Sequence, residues 1–332
     1  YLAPGIVVAL PGRANAARLG DKRVVGVAIA LMLAGGLLVA VAPGPDTLLA
    51  ARLIAGTGGV IINVVMTKMV VDWFAGREIS TALAIFVNSW PVGIALALLI
   101  LPAVAGLGGL GLAWWVLSGL IAASLVLFVL LYRAPDGAAG PATGLGITQV
   151  SYLPLIFAGL IWSLYNAALS MVFSFGPGIL VEQGWTLAGA GRLTSTFMIV
   201  LAIALPVGGL IADRTGRRDT IILVSLLGFL AMPLVPHLPD WAIAPLFVIV
   251  GALFALAAGP IMTLPSAVLT PQARSFGMGI FFTIYHGVMM IAPRIAGGIA
   301  EARGDIALTF TLGAAMSVAA ILALALFRRT SA

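Results

Sequence analysis

Gly208-Gly209-Leu210-Ile211-Ala212-Asp213-Arg214-Thr215-Gly216-Arg217-Arg218 closes one long apolar run and opens the next. Asp213 at a helix end can pair with a base or with a helix N-terminus from the other half of the chain. Gly216 permits a tight turn, and the arginines can meet acids and anionic headgroups. Such a loop is a candidate gate; the alternative is a basic loop that only sets topology. The stretch has an upstream copy. Aligning Arg18 with Arg214 pairs Gly12 with Gly208 and Gly20 with Gly216, an offset of 196. Pro45-Asp46 matches Pro239-Asp240 at 194, and the run from Ala84 to Trp90 resembles that from Gly279 to Tyr285 at 195. Registers this close indicate an internal repeat. The first copy departs from the second in one respect: Ala17 stands where Asp213 stands.

Outward from these loops the chain is overwhelmingly apolar. Its 332 residues are 62% hydrophobic and 8% charged, against roughly 25% charged in an average soluble domain. A water-soluble fold is excluded. The apolar residues fall in blocks near the length that crosses a bilayer. Eleven spanning helices are expected, at 1–17, 24–42, 47–71, 80–103, 110–132, 152–176, 187–210, 219–236, 241–268, 276–298 and 306–327. Barrel strands would need a period-two alternation that is absent. The 40 glycines suit close helix packing in lipid, and the 19 prolines suit kinks.

Twelve loop or tail bases, from Arg13 through Arg77, Arg133 and Arg274 to Arg329, fall on one side, and only Arg303 falls opposite. By the positive-inside rule that side, with the C-terminus, is cytoplasmic. The +6 net charge is therefore topological and does not point to nucleic acid. Both copies of the basic loop lie on the same side, so the halves are expected to be parallel repeats with substrate at their interface. The expected organisation is an N-terminal bundle over 1–132, a glycine- and proline-rich cytoplasmic linker over 133–150 and a C-terminal bundle over 151–332. An odd number of spans and a short first block starting at Tyr1 lead to the expectation that one helix precedes this sequence and that the intact protein has twelve.

The 208–218 loop resembles the signature loop of the major facilitator superfamily, G-x-L-a-D-R-x-G-R-R. Arg52-Leu53-Ile54-Ala55-Gly56-Thr57-Gly58-Gly59 resembles that superfamily's R-x-x-x-G-x-G motif, and Asp72-Trp73-Phe74 with Arg77-Glu78 resembles its loop before the fifth helix. The resemblance covers the whole chain and implies an all-α bundle of two six-helix repeats that works by alternating access without ATP. No P-loop lysine motif is present. Trp90-Pro91-Val92-Gly93 matches only the end of the antiporter motif G-x-x-x-G-P-x-x-G. The Asn88-to-Pro91 helix and the arginine-bearing spans look somewhat like cyanate- and nitrate-type anion permeases.

Cations stand inside the expected spans and carboxylates do not. Arg52, Gly56, Gly59 and Asn63 share one helix face, because eleven residues at 100° return within about 20° of the start. Arg52 is a candidate anion contact, with a carbonyl cap or a reach to the outer interface as alternatives. Lys68 falls nearly opposite and is expected to snorkel to the interface; Arg192 and Arg294 lie near outer helix ends. Thr283 and His286 share a stripe in a later span, with a packing role as the alternative for the histidine. Trp90, Tyr165, Asn88 and Asn166 complete the candidate substrate-binding set, each with packing or interhelical hydrogen bonding as its alternative. The candidate gate comprises Arg18, Gly20, Gly208, Asp213, Arg214, Gly216, Arg217 and Arg218.

Zero cysteines and two histidines exclude thiolate chemistry, disulfides and a histidine-rich metal centre. An intramembrane protease would need two mid-membrane aspartates, or a serine paired with histidine, and neither set is evident. The chain is expected to be no enzyme, to need no cofactor and to act as a monomer in a bacterial inner membrane. It would carry a small polar, anionic solute, with proton coupling left open. A multidrug or metabolite exporter and a non-transporting sensor are the alternatives.

Overall fold

The computed structural model describes residues 20–41, 44–74, 77–133, 150–270 and 273–331. Ten α-helices follow one another: α1 Asp21–Val41, α2 Pro45–Trp73, α3 Ile79–Leu131, α4 Tyr152–Glu182, α5 Leu187–Thr215, α6 Arg218–Gly228, α7 Asp240–Ala255, α8 Ala258–Val268, α9 Arg274–Arg303 and α10 Leu308–Ser331. A 3-10 segment, Phe229–His237, continues α6. Its irregularity has a local cause, since Pro233 and Pro236 remove backbone donors that an α-helix needs.

Eleven spans are not reached. Among the described residues nine helices are long and apolar enough to cross a membrane, and Ile79–Gly93 is a shorter apolar helix. The expected first span, 1–17, the candidate gate residue Arg18 and most of the expected linker lie outside the described residues. The expected fourth and fifth spans are two helices that meet at a kink inside α3, where Gly108 and Gly109 leave helical geometry; Val104–Leu131 is long enough to span and Ile79–Gly93 is the shorter helix. Gly109 has φ 75, a conformation that costs glycine little and other residues much.

The chain divides into two compact units, each taking one segment from the other half of the sequence. Unit 1 comprises Tyr1–Ala75, Leu96–Val150 and Leu269–His286; unit 2 comprises Gly76–Ala95, Ser151–Val268 and Gly287–Ala332. In unit 1, α1 and α2 pack backbone to backbone. A β-carbon on Gly35 would lie 2.6 Å from the Ala51 carbonyl oxygen, and one on Gly58 would collide with the Ala28 carbonyl. Glycine thus supplies the close approach that small residues give membrane helices.

Unit 2 has an aromatic core. The Tyr165 ring stacks on Phe254 at 4.3 Å, Phe254 meets Phe229 at 4.6 Å, and Phe197 and Phe310 flank Phe247 at 6.0 and 6.4 Å. All six side chains are buried. The α7 helix ends beside this core. The Phe254 carbonyl there accepts hydrogen bonds from the Tyr165 hydroxyl at 3.2 Å and the Ser225 hydroxyl at 2.6 Å. Two side chains thereby satisfy an acceptor at the break between α7 and α8, where an unpaired carbonyl in lipid would be costly.

Candidate functional site

The sequence-defined gate loop is built around a helix start. The α5 helix ends at Thr215 and its C-cap, Gly216, takes the left-handed conformation, with φ 68 and its N–H donating to the Ala212 carbonyl at 2.9 Å. This is the ordinary role of glycine after a helix. One turn before that cap, Asp213 reaches the first turn of α3 within unit 2. Its carboxylate accepts from the Ser80 N–H at 3.2 Å, the Thr81 N–H at 2.7 Å and the Thr81 hydroxyl at 2.9 Å. A negative group at a helix N-terminus satisfies orphan amides and opposes the positive end of the helix dipole. The cap is supplied across 132 residues of sequence.

Two glycines bring the elements close enough for this bond. A β-carbon on Gly209 would sit 2.6 Å from the Ser80 carbonyl oxygen and 2.7 Å from the Thr81 Cα; one on Gly259, in α8, would sit 2.9 Å from the Ala84 Cβ. Gly208 faces a different neighbour, where a β-carbon would collide with the Leu256 backbone. Arg218 is 3.4 Å from Asp213. Arg214 and Arg217 are exposed. The loop's charges therefore divide: Asp213 points inward to α3, and two arginines point away.

A second charged group lies in unit 1. Lys68 pairs with Asp21 at 2.5 Å and with Asp72 at 3.3 Å, and Asp72 also receives Arg274 at 2.9 Å. Lys68 is thus an ion-pair residue, correcting the snorkelling expectation. With about a sixth of its side chain exposed, the ammonium would be a poorly hydrated, uncompensated charge if its carboxylate partners were removed. Asp21, Asp72 and Asp213 stand in the terminal turns of helices long enough to span, outside the expected apolar blocks. Gly20, just before α1, has φ 81, and the neighbouring Lys22 donates to the Tyr132 carbonyl at 2.9 Å.

The candidate substrate residues fall into two groups of four. In unit 1, Arg52 is exposed, with its guanidinium carbon 4.7 Å from the centroid of the Trp114 ring, a cation–π placement. On the same face Gly56 and Gly59 are buried, whereas Asn63 is exposed and donates to the Gly59 carbonyl at 3.1 Å. Thr283 donates to Gly279 at 2.9 Å; the buried His286 has Nδ1 2.6 Å from the Phe282 carbonyl and its ring 5.1 Å from Tyr285.

In unit 2, Tyr165 belongs to the aromatic core, and the buried Asn166 donates to the Trp162 carbonyl at 2.9 Å. Trp90 remains 45% exposed and meets the edge of Phe173 at 6.0 Å. The half-buried Asn88 has a buried side-chain oxygen without a hydrogen-bond partner among the described residues. Asn63, Asn166, Thr283 and His286 thus all have local i to i−4 carbonyl neighbours. Sequence reasoning missed Ser80, Thr81, Asp21 and Trp114. A polar pair at the start of a helix was the available signal for the first two.

The family model for the Major Facilitator Superfamily matches residues 1–176 and again 152–332. The chain belongs to the Major Facilitator Superfamily. Its relatives are named as transporters, not enzymes. An uncharacterized MFS-type transporter of Bacillus subtilis, YhcA, is 26% identical over 155 residues, 46% of this chain and 28% of that protein. The lysosomal dipeptide transporter MFSD1 of Danio rerio is 21% identical over 299 residues, 83% of this chain and 65% of the relative. The chain thus spans less than two thirds of either relative's length. Among solved structures, the E. coli fucose:proton symporter FucP superposes with a TM-score of 0.80 at 13% identity, covering 98% of this chain and 87% of that one. The human organic anion transporter MFSD10 gives 0.73 at 16%, covering 97% and 82%. At these identities the two structures establish the shared fold.

Proposed function

We propose that this superfamily member is a secondary active transporter that moves a small polar, anionic solute by alternating access. The observation that carries the solute class is Arg52, exposed over Trp114 and without a carboxylate in ion-pair range among the described residues. Arg192 and Arg294 are likewise exposed in spanning helices. A desolvated cation inside a span is costly unless an anion or water-filled cavity offsets it. An anionic ligand offers that compensation; a cationic one would be repelled. The names of the relatives mention a sugar, a dipeptide and organic anions, so the solute class rests on this chain's own charges and on its resemblance to anion permeases at Asn88–Pro91.

In the same proposal the Asp213 cap is a latch of the alternating-access cycle. It joins elements from the two sequence halves and must open if those halves rock apart. The bundles over 1–132 and 151–332 are the rocking bodies, with the basic loops on the cytoplasmic side of a bacterial inner membrane, and the chain acts as a monomer. The test is uptake into proteoliposomes from a panel of small anions, neutral solutes and cations, with and without a pH gradient. Anion uptake that is lost in Arg52→Ala supports the proposal. Uptake confined to cations or neutral solutes contradicts the solute class, whereas a solute-binding chain that gives no flux under any gradient contradicts transport and favours a sensor.

A further inference from the structure

Five arginines and two aspartates lie in the terminal turns and loop at one end of unit 2, and both acids are already engaged. Asp213 is taken up by Ser80, Thr81 and Arg218. Asp219 receives Arg328 through two donors, Nε at 2.6 Å and Nη2 at 2.5 Å. This fork-to-carboxylate pair brings the last turns of α10 beside the first turn of α6. The turn at Gly216 joins that helix start to the end of α5. Arg214, Arg217 and Arg329, one on each of these neighbouring segments, are exposed and have no acid within ion-pair distance among the described residues.

With the two nearby acids already engaged, three exposed arginines on adjoining segments leave an excess of positive charge, which an anion with several acceptor oxygens would offset. What surrounds them selects the kind of anion. One turn back along α5, Leu210 and Ile211 are exposed, and Leu326 is exposed on α10. On spanning helices such side chains meet acyl chains, while arginines at the helix end lie at headgroup depth. A free phosphate would use only the arginines; a phospholipid uses both surfaces.

We propose that Arg214, Arg217 and Arg329 form a binding site for the phosphate headgroup of an anionic phospholipid whose chains run along α5 and α10. The bound headgroup sits beside the loop that carries Asp213 and holds the ends of α5, α6 and α10 together. This site stands independently of the transported solute.

The test uses the full chain purified in mild detergent, with phosphatidylglycerol or phosphatidylcholine added and binding read by native mass spectrometry and thermal unfolding. Phosphatidylglycerol is expected to bind and raise the unfolding temperature, and phosphatidylcholine to do neither. Each arginine replaced by glutamine should weaken phosphatidylglycerol binding about five-fold, and the triple lysine variant should keep most of it. If the triple glutamine variant fails to fold, the single variants Arg214→Gln, Arg217→Gln and Arg329→Gln carry the same comparison. Equal binding of the two lipids, or unchanged phosphatidylglycerol binding in the glutamine variants, overturns the proposal. Inorganic phosphate alone reproducing the thermal shift would make this a site for free anions and overturn its assignment to lipid.

Discussion

The helices that begin at Ile79 and Arg274 lie 195 positions apart, the same register as the repeat between the Ala84 and Gly279 runs, yet they are held in different ways. At the first, a carboxylate from α5 caps backbone amides directly. At the second, the first residue of α9 is itself a base, paired with Asp72 at the end of α2, while Lys68 bridges Asp72 and Asp21. A backbone cap has fixed geometry and is worth about 0.5 to 2 kcal/mol. Partly exposed ion pairs contribute roughly 0 to 1 kcal/mol each. The two helix starts are therefore held unequally, and the stronger hold comes from the loop that carries an aspartate. The first copy has Ala17 at that position, with no carboxylate to offer.

The largest effect should come from breaking the close approach in unit 2. Gly209→Leu places carbon where the Ser80 and Thr81 backbone lies, so the start of α3 must shift. A loss of about 1 to 3 kcal/mol is expected, read as a fall in the unfolding temperature of the purified protein. A variant as stable as the parent would mean that α3 is loosely seated.

Asp213→Ala should come next. It removes the acceptor of three hydrogen bonds from the start of α3, as well as the partner of Arg218, and hydrogen exchange at the Ser80 and Thr81 amides should accelerate about tenfold, the equivalent of a cap worth roughly 1.4 kcal/mol. Asp213→Asn keeps an acceptor oxygen and should lie between the two. Transport should fall in the same order at equal membrane expression.

Asp72→Asn should cost less, about 1 kcal/mol or below, because Asp21 still serves Lys68 while only Arg274 loses its partner. The reversed pair, Asp72→Arg with Arg274→Asp, should recover part of the loss measured in either single variant. No recovery would mean that the pair is incidental to holding α9. The smallest effect is expected from Ala17→Asp, which restores the aspartate of the second loop to the first. It should change transport less than any Asp213 variant, and a larger change would make the two loops equivalent gates.

Much of this was legible in the sequence because membrane physics leaves few options. Apolar blocks of bilayer length point to a helical membrane bundle, and Asp213 in a helix end had to find a donor. Its particular donors were not legible. Ser80 and Thr81 lie more than 130 residues away, and no local pattern sets the register between such distant helices. Lys68 shows the same limit: Asp72 at i+4 was within sight, but Asp21, 47 positions earlier, was not, so the lysine looked interfacial. Tyr165 and Asn166 sat on a polar-aromatic face compatible with a ligand, and only packing reveals that the tyrosine hydroxyl serves the Phe254 carbonyl. Arg52 was recognisable as an unbalanced charge, whereas the ring of Trp114 beneath it, 62 residues on, was not.

The central claim is tested most directly by solute flux in proteoliposomes containing the parent chain, Arg52→Ala or Lys68→Ala at equal incorporation. The two substitutions remove one positive charge each from the same helix. Lys68 is engaged by two carboxylates, whereas among the described residues Arg52 lies over an aromatic face with no carboxylate in ion-pair range. The account predicts saturable uptake of a small anion by the parent, abolished by Arg52→Ala and reduced to a smaller extent by Lys68→Ala. Anion uptake that survives Arg52→Ala unchanged would contradict it.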